Sequence, residues 1–381
     1  MQLGPELLKG VHNLLHSYVK IRHSDVALVA YTPDSRDVGA LVTVALKELG
    51  VRTSTICMLP ISDDGFEARL EDALVELALD GHQRLVVLTF ERSTMSHDAV
   101  WRRALNQIEP ERRVVFRSIS ACEELFTVGL QRCPDSINAQ NSFLLRRFQQ
   151  ANSMKITTDA GTHLRVKLDN DKHKWVSNRA IWRPGRFAIL PAGEVATYPA
   201  SIDGTLIADF ALNVNAMTDM DTRLDTRPVH VEVANGKVVS FKCDDEEITT
   251  FLDTCFSRHC AVNVGELGFG TNFGARRPIP MNSHINERSP GIHLGFGQHN
   301  QDNGSVPYQC DLHLDLIAKG GIVKLDDLEI DIDLSEFTTT EEGHPMDFRD
   351  EDVFSPDLDD IEVEDCCGVF EGGELRIVDL H

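Results

Sequence analysis

The chain has 381 residues, of which 42% are hydrophobic and 25% charged, the proportions of an ordinary soluble globular protein, so a fibrous or globally disordered class is excluded. Its formal net charge of −23 opposes partnership with nucleic-acid phosphates or an anionic membrane surface. No apolar run reaches the roughly 18–20 residues that cross a bilayer, and the opening MQLGPELLKGVHNLLHSYVKIRH reads as an amphipathic helix and not as a signal peptide; the expected location is cytoplasmic.

The length predicts two domains and an appendage. From residue 25, DVALVAYTPDSRDVGALVTVALKELGV reads as strand, turn and amphipathic helix. A helical pattern over Asp63–Asp80 and strand-like runs at 84–90 (RLVVLTF) and 113–118 (RVVFRS) continue the alternation, which predicts a parallel α/β sheet over residues 1–152. No GxGxxG or P-loop follows the first strand, so no nucleotide is assigned to it.

Beyond residue 153 the texture changes to short alternating runs, KITTDAGTHLRVKL, RFAILPAGEVATYP, VHVEVANGKVVSF and GIVKLDDLEIDI, punctuated by Gly, Asn and Asp. Residues 153–335 are therefore expected to form a strand-rich α+β domain that carries a metal site, with Asn235-Gly236 as a hairpin turn. Residues 326–365 hold eighteen Asp and Glu against Arg349 alone. The 336–381 extension is thus expected to be partly disordered, with VFEGGELRIVDL returning to the body as strand–turn–strand. Nine scattered cysteines without a CxxC pair predict reduced thiols and no disulfide framework, Cys255 with Cys260 and Cys366 with Cys367 being the nearest exceptions.

The chemistry-bearing residues lie in the second half. In CDLHLDLIA, His313 and Asp315 stand at i and i+2, so on a strand both point to one face while Leu312, Leu314 and Leu316 point to the core. Imidazole and carboxylate together supply donors that zinc, iron or manganese accept. His293 sits between glycines in GIHLGFG, where small neighbours permit close approach of an ion. Glu266 in NVGELGFGTN and Glu194 in LPAGEVATYP each place a carboxylate in apolar text, where it needs a cation: a metal, or an arginine such as Arg183 or Arg186. No GxSxG elbow or cysteine nucleophile signature appears, and Trp101, Trp175 and Trp182 read as packing or pocket-wall residues.

In order, these motifs are Glu in PxGE, Glu in ELGxGxN, His in GxHxxxG, then HxD, and the set resembles the metalloaminopeptidases of the aminopeptidase T family. The segments ITTDAGTHLRVKL and GGIVKLDDLEI support the likeness. The resemblance implies a homodimeric hydrolase with two divalent metals (Zn, Co or Mn) on Glu194, Glu266, His293, His313 and Asp315, cleaving a peptide or small amide bond. Glu266, His313 and Glu287 would be its catalytic groups, with Glu287 one residue out of the expected spacing. The same superfamily is similar to 2,5-dihydroxypyridine dioxygenases, which implies as an alternative one Fe(II) on His293, His313 and Asp315 and cleavage of a hydroxylated aromatic ring. A third reading is a non-catalytic interaction protein that keeps a relic site and works through its acidic tail.

Overall fold

A computed structural model describes residues 4–302, 304–326, 331–339, 343–345, 368–372 and 374–377. Helix α1 (Pro5–His12) runs into a π-helical turn at Asn13–Tyr18, and there follow β1 (Val26–Tyr31), α2 (Arg36–Glu48), β2 (Arg52–Cys57), α3 (Phe66–Leu77), β3 (Leu85–Phe90), α4 (Asp98–Leu105), β4 (Arg113–Ser118) and α5 (Pro134–Phe148). The expected strand and helix alternation is present at the positions read from the sequence. Strands β1 to β4 pair in parallel; the central β1 and β3 are buried on both faces because helices cover both sides, while β2 (RTSTIC) is the polar edge.

The strand-rich part comprises β5 (Ser153–Thr157), β6 (His163–Lys167), β7 (Trp175–Asn178), β8 (Phe187–Leu190), β9 (Glu194–Thr197), β10 (Ser201–Ala208), β11 (Ala211–Val214) and β12 (Ala216–Met217). It continues through β13 (Val229–Ala234), β14 (Lys237–Lys242), α6 (Glu246–Phe256), β15 (Val264–Gly270), α7 (His284–Glu287), β16 (Gly291–Gly297), β17 (His313–Lys319), β18 (Ile322–Leu325) and β19 (Asp331–Asp333). One sheet is seven-stranded, β14-β13-β10-β6-β5-β18-β19, and the other six-stranded, β11-β17-β16-β15-β9-β7. Their apolar faces meet in one core with α5 and α6. Asn235 and Gly236 join β13 to β14 with φ of 53° and 70°, the double positive φ of a tight hairpin turn.

Strand β8 departs from this arrangement: it pairs in parallel with β4 and completes a five-stranded first sheet, order β2-β1-β3-β4-β8. Near the C-terminus, β20 (Gly368–Glu371) and β21 (Glu374–Ile377) form the expected hairpin, and β20 pairs with β12. Within the acidic extension, Phe337 stacks on Phe143 of α5 at 5.1 Å between ring centres, and His344 Nε2 lies 2.8 Å from Ser177 Oγ. Most of the remaining acidic stretch, with Cys366 and Cys367, lies outside the described residues.

The expectation of reduced thiols fails at one pair. Cys260, just after α6, and Cys310, just before β17, form a disulfide. Their separation of 50 residues hides the pairing, because strands from distant parts of the chain bring them together. Cys57, Cys122, Cys133, Cys243 and Cys255 are free.

Helix α5 is fastened to the six-stranded sheet by an aromatic cluster: Phe148 lies 5.3 Å from Trp175 and 4.7 Å from Phe269 between ring centres. Phe148 is fully buried, so Phe148→Ala is expected to destabilise the fold by about 3–5 kcal/mol, read as a lowered urea midpoint with an unchanged slope.

Candidate metal centre

The six-stranded sheet is built on alternation. Leu267, Phe269, Ile292, Leu294, Phe296, Leu314 and Leu316 turn to the core, and the intervening residues form the opposite face. That face carries Glu266, His293, His313 and Asp315 on three adjacent strands, with Glu194 on the next strand along. Registers align them: Glu266 is opposite Gly295, Gly295 opposite Asp315, and Asp315 opposite Asn213. An irregularity at Gly265 puts Glu266 on this face, since Val264 pairs with Phe296 while Glu266 pairs with Gly295. One extra residue here decides whether the carboxylate meets the core or the site.

Small residues open the space. A Cβ on Gly295 would stand 2.8 Å from Glu266 Cβ and 3.0 Å from Asp315 Oδ1, and a Cβ on Gly268 would collide with His293 Nε2 at 1.9 Å. Glu194 begins β9 directly after Gly193, whose φ of 121° suits only glycine. The buried Asn141 of α5 donates to the backbone carbonyls of Asn178 and Glu194, which fixes where β9 starts.

Two groups of potential ligands result, Glu194, Glu266 and His293 in one and Glu266, His313 and Asp315 in the other, so Glu266 is common to both. His293 Nε2 is 3.0 Å from Glu194 Oε1 and 3.3 Å from Glu266 Oε1. His313 Nε2 is 3.1 Å from Asp315 Oδ1, and its Nδ1 is 3.1 Å from the Gln298 carbonyl. Asp315 is buried with no well-aligned hydrogen bond to either oxygen, its neighbouring cationic group being the His313 imidazole, an arrangement that a metal ion would relieve. Asn300 donates to Glu266 Oε2 at 2.8 Å.

The electrostatics fit a cation site. Burial opposes charge on both imidazoles, yet the neighbouring carboxylates hold both pKa values up, His293 well above the ordinary value and His313 at about 10. Burial also lifts Asp315, to about 6, against the pull of His313. Protons on these imidazoles stand where a divalent ion would, and ligation would expel them.

Sequence reasoning missed the strongest charge in the site. Arg288, fully enclosed, pairs with Glu194 in a very short contact and with Glu287 Oε1 at 2.8 Å. It also donates from Nε to the Pro191 carbonyl. The arginine that meets Glu194 is therefore Arg288 and neither Arg183 nor Arg186. Burial opposes ionisation of both glutamates, but the guanidinium keeps their pKa values low. Glu287 is further occupied by Asn213 Nδ2 at 2.8 Å. Adjacency to Glu287 in NERSPGIH was the available signal for Arg288, while Asn213 and Asn300 had none.

Comparison with known proteins now bears on this centre. The model of the family NicX: 2,5-dihydroxypyridine 5,6-dioxygenase matches residues 11–333. The chain belongs to this family. Two solved structures share its fold: 2,5-dihydroxypyridine dioxygenase from Pseudomonas putida KT2440, at 16% identity and TM-score 0.56, and wild-type AmpT from Thermus thermophilus, at 13% and 0.52. Each match covers 84% of this chain and 94% of the other. A search of curated proteins gives no match. The chain is thus a member of an enzyme family, one of the two its motifs implied, and the family match favours a dioxygenase over the expected hydrolase. Among the described residues no helix is long and apolar enough to cross a membrane.

Because a methyl at position 268 would displace the His293 ring, Gly268→Ala is expected to weaken Fe(II) or Zn(II) binding by about 10–100-fold. Titration with a metal indicator checks this, with circular dichroism as the control that the sheet persists.

Proposed function

We propose that this chain is a mononuclear Fe(II) dioxygenase that opens a hydroxylated aromatic ring of the hydroxypyridine or catechol type. The observation that carries the reading is Arg288. By binding both Glu194 and Glu287 it commits two carboxylates that the two-metal hydrolase would need, one as a ligand and one as a catalytic group, and it supplies fixed positive charge where a second cation would lie. His293, His313 and Asp315 then remain as a two-histidine, one-carboxylate set of the kind that holds non-haem iron. Family membership supports the same choice.

Bound Fe(II) would supply one-electron chemistry with O₂ at open coordination positions. The chain's own residues do the rest. The carbonyl of Gln298 at His313 Nδ1 fixes which ring nitrogen faces the site. Glu266, steadied by Asn300, stands beside both ligand groups as the base that takes a proton from a substrate hydroxyl. Arg288 keeps Glu194 and Glu287 ionised, so they add negative charge around the cation without joining its ligands. The burial of His293 and Asp315 keeps bulk water from the reacting centre.

The test is oxygen uptake by protein reconstituted with Fe(II) without air, across a panel of dihydroxypyridines and catechols. Ring-opened product carrying both atoms of ¹⁸O₂ is expected, and His313→Ala or Asp315→Ala should abolish it. Zn(II)- or Co(II)-dependent release of amino acids from peptides, with no oxygen uptake on any ring, would return the hydrolase. A second measurement isolates the role of the arginine: Arg288→Met leaves two buried carboxylates uncompensated, so bound divalent metal should rise from about one to about two per chain. An unchanged stoichiometry would sink the argument from Arg288.

A further inference from the structure

Helix α7 brings a third histidine to the metal centre. The helix packs against β11 and β17, and Glu287 at its end reaches Asn213 of β11 and Arg288. His284 stands one turn earlier. Residues three and four apart share a helix face, so His284, Glu287 and Arg288 face the same site. The charge environment agrees: the His284 ring lies within electrostatic reach of Glu287, Arg288, Glu194 and His313.

The first sheet fixes this position. Two residues beyond β4, the buried Ser120 holds a left-handed φ of 62°, a conformation costly for a residue with a Cβ. Its Oγ accepts the main-chain N–H of His284 at 3.1 Å and so ties the first residue of α7 to the end of the parallel sheet. The ring itself is left over. It is half-buried, has no hydrogen-bond partner among the described residues and belongs to neither ligand group. Burial lowers its pKa; Glu287 opposes that shift and Arg288 adds to it, so the imidazole is neutral at pH 7, with one N–H and one lone pair unmet. The groups beside it have no such spare capacity, because Arg288, Asn213 and Asn300 are spent on Glu194, Glu287 and Glu266.

We infer that His284 contacts the substrate, hydrogen-bonding a second ring oxygen, hydroxyl or pyridone carbonyl, that the metal does not hold. The inference rests on the dioxygenase reading and adds to it the residue that selects a ring bearing two oxygens over a ring bearing one. A neutral imidazole suits this task, since its donor matches a carbonyl and its acceptor a hydroxyl. A site built around such a hydrogen bond rejects the analogue without the oxygen, which leaves the imidazole unpaired in an enclosed space.

The full chain loaded with Zn(II), which has no redox chemistry, permits the test by calorimetry without turnover. 2,5-Dihydroxypyridine, catechol, resorcinol and hydroquinone are compared with 3-hydroxypyridine and phenol, which lack the second oxygen. At least one two-oxygen ring should bind about tenfold more tightly than its one-oxygen analogue. His284→Phe should remove that preference with metal content unchanged, and His284→Gln, which keeps a donor and an acceptor, should restore part of it. In the unaltered protein diethylpyrocarbonate should modify His284, read by peptide mass, and the bound ring should protect it. A preference that survives in His284→Phe, an equal loss for every ring, a fall in bound metal, or no protection by the ligand would overturn the role of His284 alone. Binding of no ring at all is a different result: it would remove the dioxygenase reading, and this role with it.

Discussion

Four carboxylates, Glu194, Glu266, Glu287 and Asp315, are buried together on one face of a sheet, with Arg288 as the arginine among them. An uncompensated carboxylate in such surroundings costs several kcal/mol, so the arrangement is tolerable only with positive charge at its centre. Much of the local architecture follows from that demand. Glycines on β15 and β16 make room, an irregularity at Gly265 turns Glu266 inward, and side-chain amides from Asn213 and Asn300 satisfy the outer carboxylate oxygens.

Arg288 divides the four acids into two kinds. Glu194 and Glu287 are held by a fixed cation, while Asp315 faces the His313 imidazole and Glu266 stands between the two histidines. Charge already present in the protein reduces the need for charge from solution at that end of the site.

Much of this was legible in the sequence where local pattern and tertiary role agree. The alternation in CDLHLDLIA places His313 and Asp315 on one face because strand geometry leaves no choice, and GIHLGFG placed His293 for the same reason. Glu266 and Glu194 were recognisable as acids in apolar text that needed a cation. What escaped depended on contacts between distant segments: the partner of Glu194 was sought at Arg183 or Arg186 and is Arg288, and Cys260 finds Cys310 across the strand-rich part. The dioxygenase was read from the motifs as the alternative and the hydrolase as the first reading, because motifs common to both name the candidate ligands and not how many metals they would hold.

Strand β8 has a consequence for how the molecule is made. The parallel sheet begins near residue 26 and is not complete until residues 187–190 arrive, with only three residues then separating Leu190 from the first site carboxylate, Glu194. During synthesis the early strands must wait, their β4 edge open, until a large part of the chain has emerged. Closing that edge is a contact of long sequence separation, which slows assembly, and the segment that closes it also delivers Glu194 to the neighbouring sheet. Completion of the first sheet therefore sets down the first acid of the centre before β15, β16 and β17, which carry its other residues, have followed.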